Sequence, residues 1–156
     1  MTIRSPLDEQ ARTATGELLQ DALVDLVDLS LAGKQAHWTV TGPRFRTLHL
    51  QLDEVVTAAR GFADLIAERA AAIGVAPDAR AATVAKDTGL PQPAEGWQRD
   101  DSVVTHFIEA YDTLIARMRK RIGRAGVLDP VTQDLLIQIT ADLEKQYWMF
   151  QAEQDN

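Results

Sequence analysis

A stripe of apolar residues, Phe45, Leu48, Leu52, Val55, Ala59, Phe62 and Ile66, recurs at spacings of three and four without a break. That period fits one face of an α-helix, whereas strand side chains alternate with a period of two. A helix carrying so continuous a stripe needs apolar partners, and the rest of the chain supplies them. Leu7, Ala11, Leu18, Ala22, Leu26 and Leu29 mark a first helix, from Ser5-Pro6 to about Thr39. Ser5 would cap it, and Pro6 suits the first helical position. Val104, Phe107, Tyr111, Leu114, Ile115, Met118 and Ile122 mark a third helix, from Asp101 or Ser102 to Gly123 or Gly126. Asp129-Pro130 repeats the cap-plus-proline start and opens a fourth, through Leu135, Leu136, Ile139, Leu143 and Tyr147. Alternating β-branched runs bounded by turn residues do not recur, so the expected class is all-α.

The connections set the topology. Thr41-Gly42-Pro43 is a tight turn, because Gly42 can adopt the left-handed conformation and Pro43 can begin a helix but not continue one. The first two helices are therefore antiparallel neighbours, and the second spans about Pro43 to Ile73. From 75 to 100 the pattern breaks at Pro77, Gly89, Pro91, Pro93 and Gly96, although Asp78 to Lys86 suits one short helix. A connection of about 26 residues is long enough to cross a bundle from end to end. The expectation is a single domain over 1–156, a four-helix bundle whose second and third helices run parallel and are joined by a 75–100 crossover.

Composition narrows the chemistry. The 156 residues include no cysteine, which excludes disulfides, thiolate metal sites and thiol nucleophiles. The formal net charge of -7 argues against a chain built mainly to wrap anionic polymers and leaves cations as partners. Neither a signal-like apolar segment at Met1 to Asp8 nor a membrane-length apolar run is present, so the expected location is cytoplasmic.

Polar residues on the second helix point to those cations. His37 ends the first helix and His49 lies in the second turn of the next, across the tight turn. Asp53 follows His49 by four, and Asp64 and Glu68 repeat that spacing further on. At about 100° per residue from His49, Asp53 falls near about 40°, Asp64 about 60° and Glu68 about 100°, away from the apolar stripe near about 260°. Imidazole with several carboxylates suits iron or manganese, or zinc if tetrahedral. His49 and Asp64 are nevertheless roughly 22 Å apart along one straight helix, so one chain cannot bring both pairs to one metal. An antiparallel symmetry mate can, with the crossing near Ala58 or Ala59 and with Thr57 and Gly61 allowing close approach. Two shared sites per dimer follow. Taken singly, each of these residues is an ordinary solvated or helix-end position, and His106 shows no such pattern.

The segment His37-Trp38-Thr39-Val40-Thr41-Gly42-Pro43-Arg44-Phe45-Arg46-Thr47-Leu48-His49-Leu50-Gln51-Leu52-Asp53, followed by Asp64-Leu65-Ile66-Ala67-Glu68-Arg69, resembles the Dps family of ferritin-like mini-ferritins. Residue types and spacings agree together, and the helical layout extends the likeness over the chain. The resemblance implies that His37, His49 and Asp53 of one subunit, with Asp64 and Glu68 of its two-fold mate, form a ferroxidase centre. It implies a hollow dodecamer that oxidises Fe(II), with hydrogen peroxide as favoured oxidant, and stores ferric mineral. No Glu-x-x-His occurs, which separates the chain from ferritins and bacterioferritins with a site inside one bundle. Trp38 resembles a possible electron donor beside a ligand, and a packing role suits it equally.

Further positions follow from the same resemblance. Glu54 is similar to an acidic position that assists mineral nucleation. Asp129 and Asp134 are similar to the acidic lining of a three-fold iron entry pore, while also being a good N-cap and a favourable early-helix acid. DNA binding, for which the family is named, is not favoured. Only Arg4 precedes Asp8 and Glu9, and Gln151 to Asn156 carries no cation, whereas counterion release needs clustered cations. The one basic cluster, Arg117, Arg119, Lys120, Arg121 and Arg124, sits where a helix dipole would favour it. The alternative is a nucleoid-compacting protein with secondary ferroxidase activity.

Overall fold

A computed structural model describes residues 3–154. Four long helices carry the fold: α1 (Glu9–Thr39), α2 (Phe45–Ala72), α4 (Asp100–Ala125) and α5 (Pro130–Ala152), with the short α3 (Ala81–Asp87) inside the crossover. The all-α bundle is as expected. Two-residue strands β1 (Val40–Thr41) and β2 (Gln98–Arg99) pair in parallel, which the sequence did not suggest because a bridge this short leaves no periodic signal.

The first helix starts later than Ser5-Pro6. Asp8 is the cap, accepting from the Ala11 N–H at 2.8 Å, and Ser5 accepts from Leu7 N–H in a local turn instead. An ionised carboxylate outcompetes a hydroxyl at a positive helix end. The second helix likewise begins at Phe45 rather than Pro43, with no cap of its own: Asp100, at the start of α4, accepts from the Arg44 N–H at 2.9 Å. This remote cap places the N-termini of α2 and α4 at the same end, so the two helices run parallel and the crossover spans the bundle. Asp129 caps α5 as expected, with Pro130 in its first turn.

The crossover is fastened to α1 along its length. Gln20 donates to the Asp78 carbonyl at 2.7 Å and accepts from its N–H at 2.9 Å. Further along, buried Asp25 accepts from Gly89 N–H, and Asp28 accepts from Thr88 and Gln92. β2 then docks beside β1, against the turn that ends α1.

The core takes Leu18, Leu26 and Leu29 from α1, Leu48, Leu52, Val55 and Ile66 from α2, Phe107, Tyr111, Leu114 and Met118 from α4, and Leu136, Ile139, Leu143 and Phe150 from α5. Phe107 and Phe150 stack at 5.3 Å between ring centroids. The α2 stripe is buried through its middle and open at Phe45, which is 44% exposed. Ala59 belongs to this core at 1% exposure, so the small residues left on the outer face near the middle of α2 are Thr57, Ala58 and Gly61.

Candidate metal centre

The hairpin brings the two histidines face to face. His37 leaves the last turn of α1, Val40 and Thr41 run extended, and Gly42 at φ +118° reverses the chain. A Cβ on Gly42 would stand 2.8 Å from the Asp100 carboxylate, so the turn requires glycine both for its dihedral and for its room. The reversal stacks His37 on His49 with 3.6 Å between ring centroids.

Their hydrogen bonds are reciprocal. The Nδ1 of His37 donates to the His49 carbonyl at 2.7 Å, and the Nδ1 of His49 donates to the His37 carbonyl at 2.8 Å. A carbonyl can only accept, so each neutral ring carries its proton on Nδ1 and keeps the Nε2 lone pair for another partner. Histidine metal ligands are held in this way, with the second ring nitrogen fixed by a backbone oxygen.

Asp53 stands beside the pair, its Oδ1 3.4 Å from His37 Nδ1. Lys34, one turn before His37 on α1, donates to the same oxygen at 2.5 Å. That hydrogen bond is the main cause of the lowered Asp53 pKa; burial opposes it, and the Lys34 charge adds to it, as do His37 and His49 when their rings are protonated. Lys34 escaped the sequence argument, although its position three residues before His37 was a usable signal for a shared helix face.

Asp64 and Glu68 are exposed on α2, away from this cluster. Among the described residues no group of three or more histidine or acidic side chains is assembled that could hold a metal. One chain therefore brings His37, His49 and Asp53 together at the hairpin and leaves two carboxylates further along the same helix. Between and around them lie exposed Leu50 and Leu65, at 53% and 46% exposure. Ala58, Gly61, Phe62 and Leu65 also line a groove of about 430 Å³ against Asp142, Lys145 and Gln146 of α5.

The softer positions differ among themselves. Glu54 is exposed next to Asp53. Asp129 is buried: one oxygen accepts from Arg69, the Thr132 hydroxyl and Thr132 N–H, the other from Val131 N–H. Burial pushes its pKa up, and the bonds from Thr132 and Arg69 outweigh that and hold it low. Asp134 is exposed and accepts from Gln138 at 2.7 Å. Trp38 is 61% exposed beside His37.

Three of the five basic residues of the α4 cluster are ion-paired across the bundle, whereas Arg124 stays in the last turn of α4 where the dipole favours it. Arg117 and Arg121 both donate to Asp25, which is wholly buried, at 2.8 and 2.7 Å. Arg119 pairs with Glu144 on α5. Sequence could not pair them, because Asp25 lies on another helix.

Comparison with known proteins agrees with this architecture. A ferritin-like domain model matches residues 16–156, so the chain is a ferritin-like protein. It is 34% identical over 149 residues to the DNA protection during starvation protein of Mycolicibacterium smegmatis, covering 94% of this chain and 80% of that one. It is 35% identical over 136 residues to DNA protection during starvation protein 2 of Deinococcus radiodurans, covering 87% of this chain. The match spans 56% of that relative's length. A solved structure of Mycobacterium smegmatis Dps superposes with a TM-score of 0.93 at 32% identity, covering 100% of this chain and 94% of that one. The chain belongs to the Dps family. No described helix is long and apolar enough to cross a membrane.

Proposed function

We propose that the protein is a ferroxidase and iron store, with centres shared between two copies of the chain. The observation that carries this is the reciprocal His37–His49 pair, which leaves the Nε2 lone pair of each ring for another partner, with Asp53 3.4 Å from His37 Nδ1 and no complete ligand set among the described residues. An antiparallel two-fold mate would bring Asp64 and Glu68 opposite them, giving each centre His37, His49 and Asp53 from one subunit and Asp64 and Glu68 from the other. The exposed Leu50 and Leu65 on the same face supply apolar area for that contact, and the small Thr57, Ala58 and Gly61 supply room.

Fe(II) is the substrate. Imidazole nitrogens and carboxylate oxygens suit both the ferrous ion and the harder ferric product. With peroxide as oxidant, two Fe(II) each give one electron; the O–O bond breaks, and two protons complete two waters. The ferric ions then hydrolyse to mineral and release protons, for which exposed carboxylates such as Glu54 offer nucleation sites. Storage calls for an enclosed assembly, and the family points to a dodecamer built from two-fold dimers. Asp134 is available to an entry pore, whereas both oxygens of Asp129 are already engaged within the subunit. A cytoplasmic site of action fits this role.

The test is Fe(II) addition with peroxide, comparing wild type with a His49→Ala, Asp64→Ala double variant. Wild type should oxidise iron rapidly and the variant at the background rate. Equal rates would sink the site assignment.

The names of the relatives, DNA protection during starvation, favour a second reading in which the protein compacts nucleic acid. Removing Fe(II) and peroxide protects DNA without contact, and Arg117, Arg119 and Arg121 already pair with Asp25 and Glu144. A plasmid gel shift should show no retardation at physiological ionic strength. Clear retardation there would reverse the preference.

A further inference from the structure

The crossover closes over a cavity of about 230 Å³ whose walls are the last turns of α1 (Ala36, Thr39), the crossover itself (Gln92, Pro93, Ala94, Gln98) and the first turns of α4, including Val103, His106 and Phe107. Most polar groups of that lining are committed. The Thr39 hydroxyl donates to the Gln35 carbonyl, the Gln92 amide to Asp28, and the Gln98 amide to the Glu95 carbonyl. One buried atom of that lining is left over. The Nε2 of His106 is fully buried and has no hydrogen-bond partner. A single buried nitrogen is too little to recognise a ligand, but it makes the partly open cavity sensitive to charge. Leaving a neutral polar atom unpaired carries a desolvation cost, and leaving an imidazolium N–H unpaired carries a larger one.

The charged groups acting on the ring come from two elements. Burial is the dominant influence and lowers the pKa of His106; the carboxylates of Glu109 on α4 and Asp28 on α1 oppose it without prevailing. The crossover faces the cavity with uncharged side chains only. Asp28 is the group a protonated ring would attract, yet its Oδ2 already accepts from Thr88 and Gln92, which tie this part of the crossover to α1 together with Gly89 on Asp25.

We infer that His106 is an acid-sensitive latch for the crossover: neutral, it lets the segment 88–99 close over the cavity, and protonated, it opens that segment by competing for Asp28 and admitting water. The segment is poised for this. Between Leu90 and Trp97 it contains no helix or strand, and its far end is held by the two-residue β1–β2 bridge that abuts the end of α1. Because the closed state holds fewer protons than the open one, the closed state weakens as pH falls below the ordinary histidine value of 6.5.

The inference stands apart from iron chemistry, and its test needs none. Amide hydrogen exchange of the intact, assembled protein is followed by mass spectrometry from pH 7.5 to 5.5, with rates corrected for the intrinsic pH dependence of exchange. In wild type, peptides within 88–99 should exchange up to about tenfold faster per pH unit below about 6.5, as an opening linked to one proton requires. Peptides of α2 should not change. In His106→Phe and His106→Gln the acid response of 88–99 should vanish. Should neither variant fold, the His106 imidazole is titrated by NMR in wild type, and its midpoint should coincide with the onset of opening. No acid response in 88–99, an equal response in α2, a response that survives in either variant, or a ring midpoint unrelated to the opening would overturn the inference.

Discussion

Lys34 on α1 donates to Asp53 on α2 at 2.5 Å, so a carboxylate proposed to bind iron is already occupied by an ammonium from its own chain. Iron and Lys34 then compete for one oxygen. Lys34→Met keeps the length and apolar stem of the side chain and removes the competitor. Both side chains are partly solvated, 31% and 47% exposed, so the gain is modest. Co(II), a redox-inert stand-in under these conditions, should bind about two- to fivefold more tightly to the variant. Calorimetric titration checks this, and weaker binding would mean that Lys34 orients Asp53 for the metal rather than opposing it.

Gly42→Ala places a methyl group 2.8 Å from the Asp100 carboxylate in a residue with φ +118°. Either the carboxylate moves and Arg44 N–H loses its acceptor, or the turn opens. The expected cost is about 1–3 kcal/mol in urea unfolding. The stacked histidines depend on the same turn, so their ring resonances should shift in the variant, which a purely distant packing defect would not produce.

How far the sequence carries differs between local and remote features. The α2 stripe, the Gly42 turn, the Asp129 cap and the cluster of His37, His49 and Asp53 are all written at short range, in spacings of at most a few turns. The start of α1 is also local, but two candidate caps, Ser5 and Asp8, compete for it, and only electrostatics separates them. The cap of α2 is remote, since Asp100 lies 56 positions from Arg44, and no periodicity encodes it. Asp25 shows the same limit. Its partners Arg117 and Arg121 lie two long helices away, so two arginines of a cluster that resembles helix-end charge are in fact counterions of a buried carboxylate.

Asp25→Ala follows from that pairing. It leaves Arg121, only 5% exposed, without its carboxylate, and it frees Gly89 N–H and Arg117 as well. Breaking one side of a buried ion pair costs about 3–5 kcal/mol, far above the effect of a surface charge. Thermal unfolding should show the loss, and proteolysis should strike first near Gly89, where the crossover loses its anchor. A change under about 1 kcal/mol would show that water replaces the pair.

Asp129 makes stability depend on acid. Its carboxyl titrates below the ordinary 3.8 in the folded chain, where Thr132 and Arg69 bind the ionised form. The stabilisation is thus complete above pH 3.8 and is lost as pH falls through the lower folded value. Asp129→Asn keeps a capping oxygen and removes the charge facing Arg69. Near neutral pH it should be less stable than wild type by about 1–2 kcal/mol. The difference should shrink toward pH 3, and a gap that stays constant across that range would exclude ionised Asp129 as its source.

A shared centre makes a stoichiometric prediction that a single-chain site cannot. His49→Ala alone damages the hairpin half of both centres in a dimer, and Asp64→Ala alone damages the other half of both. In a mixed dimer, the His49→Ala chain still offers Asp64 and Glu68, and the Asp64→Ala chain still offers His37, His49 and Asp53. One centre therefore collects both defects and the other is intact. Equal amounts of the two inactive variants, unfolded and refolded together, give mixed dimers in about half of cases, so about a quarter of wild-type centres should reappear. Peroxide-dependent Fe(II) oxidation measures the recovery against each variant refolded alone. Co-refolded protein that stays at background would show that His49 and Asp64 do not serve one centre from different chains.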